Sequence, residues 1–235
     1  IAVPEWMHAR MTVNALEAGK NVFCEKVMAW SVDGAKEMIR AARASGRVLQ
    51  IGHHRRANPL YASARAMVHQ GLIGEVYYVR TLWHRNSDGL RDVPKMEDLL
   101  KADPNFDPTR WGYGSLYELV NWPSYSKYSQ GLTADLGSHL LDVVNWFADE
   151  RPQRVLGAGG LYYWRDNRTI NDHVYVTVEY GPNKMSPTGT TATFTSIRSN
   201  AFDGYYEQFM GTKGTILLSR ETDVMLWKEG EDKST

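Results

Sequence analysis

A polar segment in the middle of the chain has the residue types and spacing of an acid–base site; it reads Asp135-Leu136-Gly137-Ser138-His139-Leu140-Leu141-Asp142. On a helix, Asp135, His139 and Asp142 fall at positions i, i+4 and i+7, so their side chains share one face. A histidine accepts a hydroxyl proton near neutral pH, and a carboxylate one turn away can orient the ring and stabilise its charged form. Gly137 leaves room for the close approach of a bulky group. The segment therefore predicts acid–base chemistry, with His139 as the proton acceptor.

The same segment has two other interpretations. Asp135 could be a capping residue and His139 a buried histidine with satisfied hydrogen bonds. Aspartate and histidine one turn apart can also both bind a metal ion, although the spacing offers no obvious third or fourth ligand. We therefore predict no metal at this helix.

A lysine follows a short, continuously apolar stretch near the start of the chain. Val22-Phe23-Cys24 is typical of a buried strand, and Glu25-Lys26 comes directly after it. In open α/β sheets, ligands bind beyond the carboxyl ends of the strands, so Lys26 can donate to a substrate oxygen there. A surface lysine paired with Glu25 is the simpler alternative.

A basic run, His53-His54-Arg55-Arg56, follows the next apolar stretch, Val48–Ile51. It therefore also lies at the carboxyl end of a predicted strand. Arg56 could contact substrate or phosphate there, or the whole run could be a solvated linker between two domains.

The elements that carry these residues alternate between strand and helix over the first 52 positions. We predict a strand end at Ile1–Val3, a helix over Glu5–Ala18, a strand at Asn21–Cys24, a helix from the N-cap Ser31 to about Ala44, and a strand at Val48–Ile51. This order at this spacing is typical of a parallel, doubly wound sheet. The chain holds half of such a sheet.

Beyond Gly52 the pattern changes to helices followed mainly by strands. Predicted helices at Pro59–His69 and Ala134–Ala148 flank a strand at Val76–Trp83, and further strands follow at 155–164, 173–180, 190–198, 204–211, 214–219 and 223–228. This succession predicts an α+β domain with a large, mainly antiparallel sheet. The fold class is therefore α/β plus α+β, with a first domain over residues 1–57 and a second over 58–235.

A long stretch without predicted elements, His84–Gln130, is rich in aromatic residues: Trp111, Tyr113, Tyr117, Trp122, Tyr125 and Tyr128. That richness argues against disorder, and loops this long in compact domains are usually functional. Flat aromatic faces suit sugar rings, so Trp122 and Tyr128 are candidate substrate contacts. By contrast, Gly157-Ala158-Gly159-Gly160 only superficially resembles a dinucleotide-binding loop, because strand-like residues follow where a helix should begin.

Composition argues against several classes of protein. The 27 basic and 27 acidic side chains give a formal net charge of zero, which argues against binding to nucleic acid or an anionic membrane. No apolar run approaches the roughly 20 residues needed to span a bilayer. The single cysteine, Cys24, rules out an internal disulfide and fits a reducing compartment, so we predict a cytoplasmic protein. The chain starts at Ile1 without an initiator methionine and is interpreted as a fragment, so any export signal would belong to the part before it.

Taken in order, several segments of the chain resemble the Gfo/Idh/MocA family, the relatives of glucose–fructose oxidoreductase and inositol dehydrogenase. The resemblance covers nearly the whole chain, and chance is a poor explanation for so many matches in the right order. The matching segments are Pro4–His8, Ala15–Val22 with Glu25-Lys26, Gln50–Gly52 with Arg56 and Pro59, Gly71–Val76, Gly131–Asp142, and Asp142–Trp146.

The resemblance implies the C-terminal half of a Rossmann-like parallel sheet and an NAD- or NADP-dependent reaction on a sugar, polyol or sugar derivative. Lys26 would hydrogen-bond the reacting oxygen, His139 would act as acid or base, and Asp135 would hold His139 or bind a neighbouring hydroxyl. The residues implied to line the cofactor are Pro4, His8, Glu25 and Gln50.

Two departures from the family pattern affect these expectations. Val27 stands where the family usually has proline after Glu-Lys, which bears on the positioning of Lys26. The glycine-rich loop that binds the pyrophosphate is expected before Ile1, so this chain alone is expected to bind dinucleotide poorly and to be inactive. The alternatives are an NAD-dependent glycoside-cleaving enzyme of the same fold and a non-catalytic sheet or assembly module. A homodimer or homotetramer is expected, because family members commonly pair these sheets face to face.

Overall fold

A computed structural model describes residues 1–230 of the chain. The predicted second domain runs to Thr235, and residues 231–235 lie outside the described part. No helix among the described residues is both long enough and apolar enough to cross a membrane.

A small parallel sheet forms from the first part of the chain. Strand β1 (Val22–Glu25) pairs with β2 (Leu49–Gly52), and helices α1 (His8–Glu17) and α2 (Val32–Ser45) pack against them through a shared apolar core. Ile1 is not in a regular strand, but its backbone forms hydrogen bonds of 2.6 and 2.9 Å with β1. The predicted half-sheet is therefore confirmed.

Local signals set the limits of α2. The Ser31 side chain caps the first turn by accepting a hydrogen bond of 3.1 Å from Gly34 N. At the other end, Gly46 takes a left-handed conformation with φ of 62°, which ends the helix and turns the chain toward β2. Because β1 and β2 are parallel, the residues that follow them, Lys26 and His53, lie at the same edge of the sheet.

Helix α3 (Pro59–His69) leads into a seven-stranded sheet. Its strands are β3 (Val76–Trp83), β4 (Arg154–Gly160), β5 (His173–Tyr180), β6 (Thr190–Ile197), β7 (Tyr205–Gly211), β8 (Gly214–Ser219) and β9 (Asp223–Lys228). They lie in the order β4-β5-β6-β3-β7-β8-β9, and the central β3–β6 pair is parallel whereas the other pairs are antiparallel. The predicted mainly antiparallel sheet is therefore confirmed.

Parts of the predicted layout differ from the structure. The stretch 84–130 contains helices α4 (Met96–Ala102) and α5 (Leu116–Val120), which are too short for periodicity to reveal. The strand predicted over 155–164 ends at Gly160, because the buried Asp172 carboxylate accepts hydrogen bonds from the next backbone N–H groups, those of Tyr162, Tyr163 and Trp164.

Helix α6 (Ser138–Ala148) begins from a wider turn than the sequence predicts. The predicted helix starts at Ala134, whereas in the structure a π-helical segment, Thr133–Gly137, runs directly into α6. A π-helical turn adds a residue to the helical repeat and is frequent at functional sites. Asp135 therefore lies in the wide turn, and His139 lies in the first turn of the α-helix.

Helices α3 and α6 cover the inner face of the large sheet. Their apolar side chains form one core with residues from the central strands, and each large side chain buried there contributes about 1.5–3 kcal/mol to stability. The residues of this core include Tyr61, Val143, Phe147, Val79, Phe209 and Ile216. The core fixes α6 against the sheet and so fixes the residues that its first turn carries.

Gly137 is required by close packing rather than by backbone conformation, since its φ is −59°. The bulky group beside it is Phe194, whose Cε1 would lie 2.8 Å from an added methyl group. We expect Gly137→Ala to lower the free energy of unfolding by about 1–3 kcal/mol in urea denaturation, the usual cost of overpacking. The control is Gly157→Ala, whose methyl group would meet only Tyr175 O at 3.8 Å and should change stability by less than about 0.5 kcal/mol. An unchanged midpoint for Gly137→Ala would contradict this role for the glycine.

Candidate active site

Lys26 and Asp135 are joined directly, although 109 positions separate them. The Lys26 ammonium donates to Asp135 O at 2.5 Å and to its Oδ1 at 3.1 Å. The peptide bond between Lys26 and Val27 is cis. The two hydrogen bonds from Lys26 connect the end of β1 to the π-helical turn. The Asp135 carboxylate is therefore already paired with a side-chain cation. Within residues 1–230, no group of three or more His, Cys, Asp or Glu side chains is placed to hold a metal ion.

The His139 ring lies against two other rings at the end of the sheet. Its centroid is 4.8 Å from that of His54, edge to face, and 6.0 Å from that of Trp83. Burial, together with the positive charges of Lys26 and Arg55, lowers the pKa of His139 to about 3. The ring is therefore neutral at physiological pH and able to accept a proton.

Asp135 does not orient the His139 ring, as the sequence had suggested it could. Among the described residues, its carboxylate bonds to Lys26 and makes no hydrogen bond with His139. The π-helical turn that contains Asp135 changes the i, i+4 geometry on which that expectation rested. Asp135 thus contacts the lysine, while His139 contacts the aromatic residues.

A buried ionic network behind His139 was not predicted from the sequence. The Arg55 guanidinium, 1% exposed, pairs with the fully buried Glu207 and with Glu221 at 2.8 Å. Tyr61 donates to Glu207 at 3.0 Å, and His54 lies 3.1 Å from Glu221. Burial raises the pKa of Glu207, against the opposing charge of Arg55. The network holds Arg55 and His54 in place beside His139.

Arg56, in the turn after β2, pairs with Asp142 of α6, about one helical turn beyond His139. Its Nε and Nη2 donate to the two Asp142 oxygens at 2.8 Å each, and His53 Nδ1 lies 3.6 Å from the same carboxylate. The guanidinium also lies over the Trp146 ring at 5.7 Å. In this structure Arg56 therefore links the turn after β2 to α6, and a substrate would have to compete with Asp142 for it.

The residues expected on the cofactor side separate into two groups. His8 and Glu25 line a pocket of about 200 Å³ together with Lys26. Pro4 precedes the short helical turn at the rim of this pocket, whereas Gln50 is exposed on β2 and outside its lining. The structure thus brings His8 and Glu25 to Lys26 and leaves Gln50 apart.

His8 connects the loops on either side of this pocket. Its Nδ1 lies 2.7 Å from Val27 O and its Nε2 2.9 Å from Val3 O. Burial lowers the pKa of His8, but hydrogen bonds with the Cys24 thiol and with these two carbonyls outweigh burial, so the net shift is upward. His8 therefore stabilises the backbone that carries Lys26.

Of the two aromatic candidates, only Trp122 borders the Lys26 pocket. Tyr128 is buried, and its hydroxyl lies 2.8 Å from Glu118 Oε2 and 3.1 Å from Gly112 O. It lines a separate apolar pocket of about 340 Å³, formed with Trp6 and Trp30. The structure therefore brings Trp122, but not Tyr128, into the neighbourhood of Lys26.

The lowered pKa of His139 makes folding stability depend on pH in a definite direction. Below about pH 6.5 the unfolded chain holds a proton on this ring, and the folded chain does not until about pH 3. Stability therefore falls as the pH drops through this window, by at most about 1.4 kcal/mol per pH unit from this group. Urea titrations at pH about 7 and about 5 should show wild type losing more stability than His139→Asn. Equal losses would show that the ring is not held neutral.

Two family profiles match the chain. Residues 1–53 match the one described as an oxidoreductase family, NAD-binding Rossmann fold. Residues 61–217, more than half of the chain, match the one described as GFO/IDH/MocA C-terminal domain.

The proteins similar to the chain include two curated relatives and one solved structure. It is 39% identical over 89 residues to an inositol 2-dehydrogenase/D-chiro-inositol 3-dehydrogenase of Shouchella clausii, covering 37% of this chain and 25% of that protein. It is 24% identical over 225 residues to a 2,7-anhydro-N-acetylneuraminate hydratase of Escherichia coli, covering 94% and 51%. The chain thus spans about half, or less, of these relatives. An inositol dehydrogenase homolog from Azotobacter vinelandii, complexed with NADH and myo-inositol, has the same fold: TM-score 0.71 at 21% identity, over 98% of this chain and 53% of that one.

Proposed function

Because the chain belongs to the GFO/IDH/MocA family of oxidoreductases, we propose that the whole protein transfers a hydride between NAD or NADP and a carbinol carbon of a sugar, polyol or sugar derivative. The observation behind this proposal is the meeting of Lys26, Asp135 and a neutral His139 at the carboxyl edge of the β1–β2 sheet, where Lys26 bonds to Asp135 and His139 lies against His54. A bound nicotinamide would supply the hydride acceptor. Residues of this chain would accept the hydroxyl proton and stabilise the negative charge that develops on the reacting oxygen.

The pocket beside Lys26 supports a place for the nicotinamide end of the cofactor. It opens at the carboxyl edge of a parallel sheet, where ligands of such sheets bind, and the profile matched by residues 1–53 is described as NAD-binding. We propose that Glu25 and His8 form the wall of the nicotinamide site, with Pro4 at its rim, and that Gln50 contacts the cofactor, if at all, outside this pocket.

Lys26 and His139 have different roles at the reacting oxygen: Lys26 stabilises its charge and His139 accepts its proton. An ammonium has three N–H donors, and Asp135 takes two of those of Lys26, so the third is available to the substrate oxygen. As the hydroxyl proton leaves, negative charge grows on that oxygen, and the fixed cation stabilises it. Neutral His139 accepts the proton during oxidation and returns it during reduction.

The relatives and the pocket wall support the proposed substrate class. Both named relatives act on cyclic, polyhydroxylated compounds, and Trp122 places an aromatic ring beside Lys26. The test is an absorbance assay for reduced cofactor, using the whole protein with NAD or NADP and a panel of hexoses, sugar acids and inositols. We expect turnover with at least one compound, and turnover with none would count against hydride transfer.

A second candidate reaction uses the same site without net redox change. The Escherichia coli relative, similar along 94% of this chain, is named a hydratase, and hydration leaves the overall oxidation state unchanged. Transient oxidation followed by elimination, as in a glycoside-cleaving enzyme, would also give no net reduction of the cofactor. Product formed from a glycoside or anhydrosugar without accumulation of reduced cofactor would favour this reaction over simple dehydrogenation.

The outer face of the large sheet supports self-association. It exposes Tyr175, Met225 and Trp227, which are 42%, 56% and 64% exposed. Tyr175 lies on β5 and the other two lie on the edge strand β9, and apolar side chains exposed on a sheet face can be covered by a second sheet. We propose a homodimer or homotetramer built on this face. Light scattering after size-exclusion chromatography should give a multiple of the chain mass, and a strict monomer would contradict the proposal.

A further inference from the structure

Two arginines stand just past the carboxyl ends of the parallel strands β3 and β6. Arg85 comes two residues after Trp83, and Arg198 two residues after the buried Ser196, so strand alternation turns both toward the face that α6 covers. A backbone hydrogen bond of 2.9 Å, donated by Arg85, keeps the two chain ends adjacent. Both side chains therefore lie at the end of the sheet where the His139 ring of α6 packs against Trp83.

The Arg85 guanidinium has no anionic partner among residues 1–230. It lies 4.9 Å from the centroid of the Trp83 ring, and that ring lies 6.0 Å from His139. The side chain is exposed and makes no hydrogen bond or ion pair within the described part of the chain. Trp83 thus positions the cation near the proton acceptor, and all five N–H donors remain available to a ligand.

Arg198 is half-buried and also lacks a paired carboxylate within the part that the structure describes. Its Nη1 donates to the backbone Asp88 O at 2.8 Å. Burial and the neighbouring charge of Arg168 lower the pKa of Arg198, and the Asp135 and Asp88 carboxylates, neither of which pairs with it, oppose that shift. Arg168 differs because Asp166 neutralises it. A half-buried cation without a counter-ion favours the binding of an anion.

We propose that Arg85 and Arg198 bind a carboxylate or phosphate group of the substrate, while the reacting carbinol lies at Lys26 and His139. This inference rests on the proposed function and narrows its substrate class to acidic sugars. Guanidinium groups bind such oxyanions through paired, charge-assisted hydrogen bonds. A neutral polyol would leave both cations unmatched beside Lys26.

The test compares matched sugars with the whole protein and its nicotinamide cofactor: D-glucuronate against D-glucose, D-galacturonate against D-galactose, and D-glucose 6-phosphate. We expect kcat/KM for the acidic member of a pair to exceed that for the neutral member by about 10- to 100-fold. Preference for the phosphate over the uronates would identify phosphate as the bound group. Equal or better use of the neutral sugars would overturn the inference.

Variants identify the side chains responsible. Arg85→Gln, at an exposed position, should lower the acid-to-neutral ratio of kcat/KM by about 10-fold or more, and Arg198→Gln should do the same. Arg80→Gln removes a cation from the opposite face of β3, where Arg80 pairs with Asp203 at 3.3 Å, and should leave the ratio unchanged. A ratio that neither Arg85→Gln nor Arg198→Gln alters would also overturn the inference.

Binding separates this inference from the proposed function. If no sugar is turned over, the affinity of the protein for the same compounds is measured by calorimetry, which tests the anion site without hydride transfer. Tighter binding of the acids that weakens in Arg85→Gln would support the anion site even though hydride transfer fails. Binding without preference for the acids would overturn the anion site.

Discussion

Replacing His139 by asparagine is expected to lower kcat of the whole protein by about 100- to 10,000-fold, the usual contribution of a general base. Asparagine keeps a polar group in the site but cannot accept the hydroxyl proton as the hydride leaves. Because the wild-type ring is neutral down to about pH 3, protonation of His139 should not limit activity between pH about 5 and 8. Steady-state kinetics with the best substrate from the sugar panel measures the loss.

A matched control separates loss of chemistry from loss of structure. His69 is also a partly buried histidine, and its Nε2 lies 2.7 Å from Phe147 O, away from the site. His69→Asn should retain kcat within about threefold, and both variants should keep a thermal midpoint near that of wild type. Comparable kcat in His139→Asn and wild type would remove His139 from the chemistry.

Replacing Lys26 by methionine is expected to lower kcat/KM by about 100- to 1,000-fold, because in the proposed mechanism its cation stabilises charge on the reacting oxygen. A second effect distinguishes this role from a structural one. The charge of Lys26 helps to lower the pKa of His139, so its removal raises that pKa toward the ordinary value near 6.5. The acidic limb of the kcat/KM profile should therefore move to higher pH in Lys26→Met.

Lys101→Met provides the control for an ordinary ion pair. Lys101 bonds to Asp98 at 3.0 Å on the exposed surface of α4, so its loss should change neither kcat/KM nor the pH profile. A Lys26→Met variant that loses activity without any shift of the acidic limb would mean that the charge of Lys26 does not act on His139.

The sequence predicts the local position of Lys26 and that of His139, but not that the two residues lie close together in the folded chain. A strand end places Lys26 at the edge of a parallel sheet, and the apolar spacing around His139 places it on a buried helix. Their meeting depends on how α6 packs on β6 through Gly137 and Phe194, and local patterns carry no information on such a packing. The π-helical turn that aims Asp135 at Lys26 has no recognisable sequence signal either.

The buried ionic network of Arg55, Glu207 and Glu221 could not be predicted from the sequence either. The basic run after β2 is visible in the sequence, but a 3-10 turn over His54–Ala57 decides that Arg55 points inward and Arg56 outward. Glu207 occupies a core position in β7, where alternation predicts an apolar side chain. The partner that allows a carboxylate there, Arg55, lies 152 positions away. A buried charge at an apolar position is a signal, but its partner is found only in the folded chain.

The most direct test of a single catalytic centre is a double-mutant cycle on kcat/KM with Lys26→Met, His139→Asn and the double variant. Residues that act on one reacting oxygen are strongly non-additive, so the double variant should be no more than about tenfold slower than the slower single variant. If the two losses instead multiply in full, Lys26 and His139 act independently, and the proposal that they form one centre is wrong.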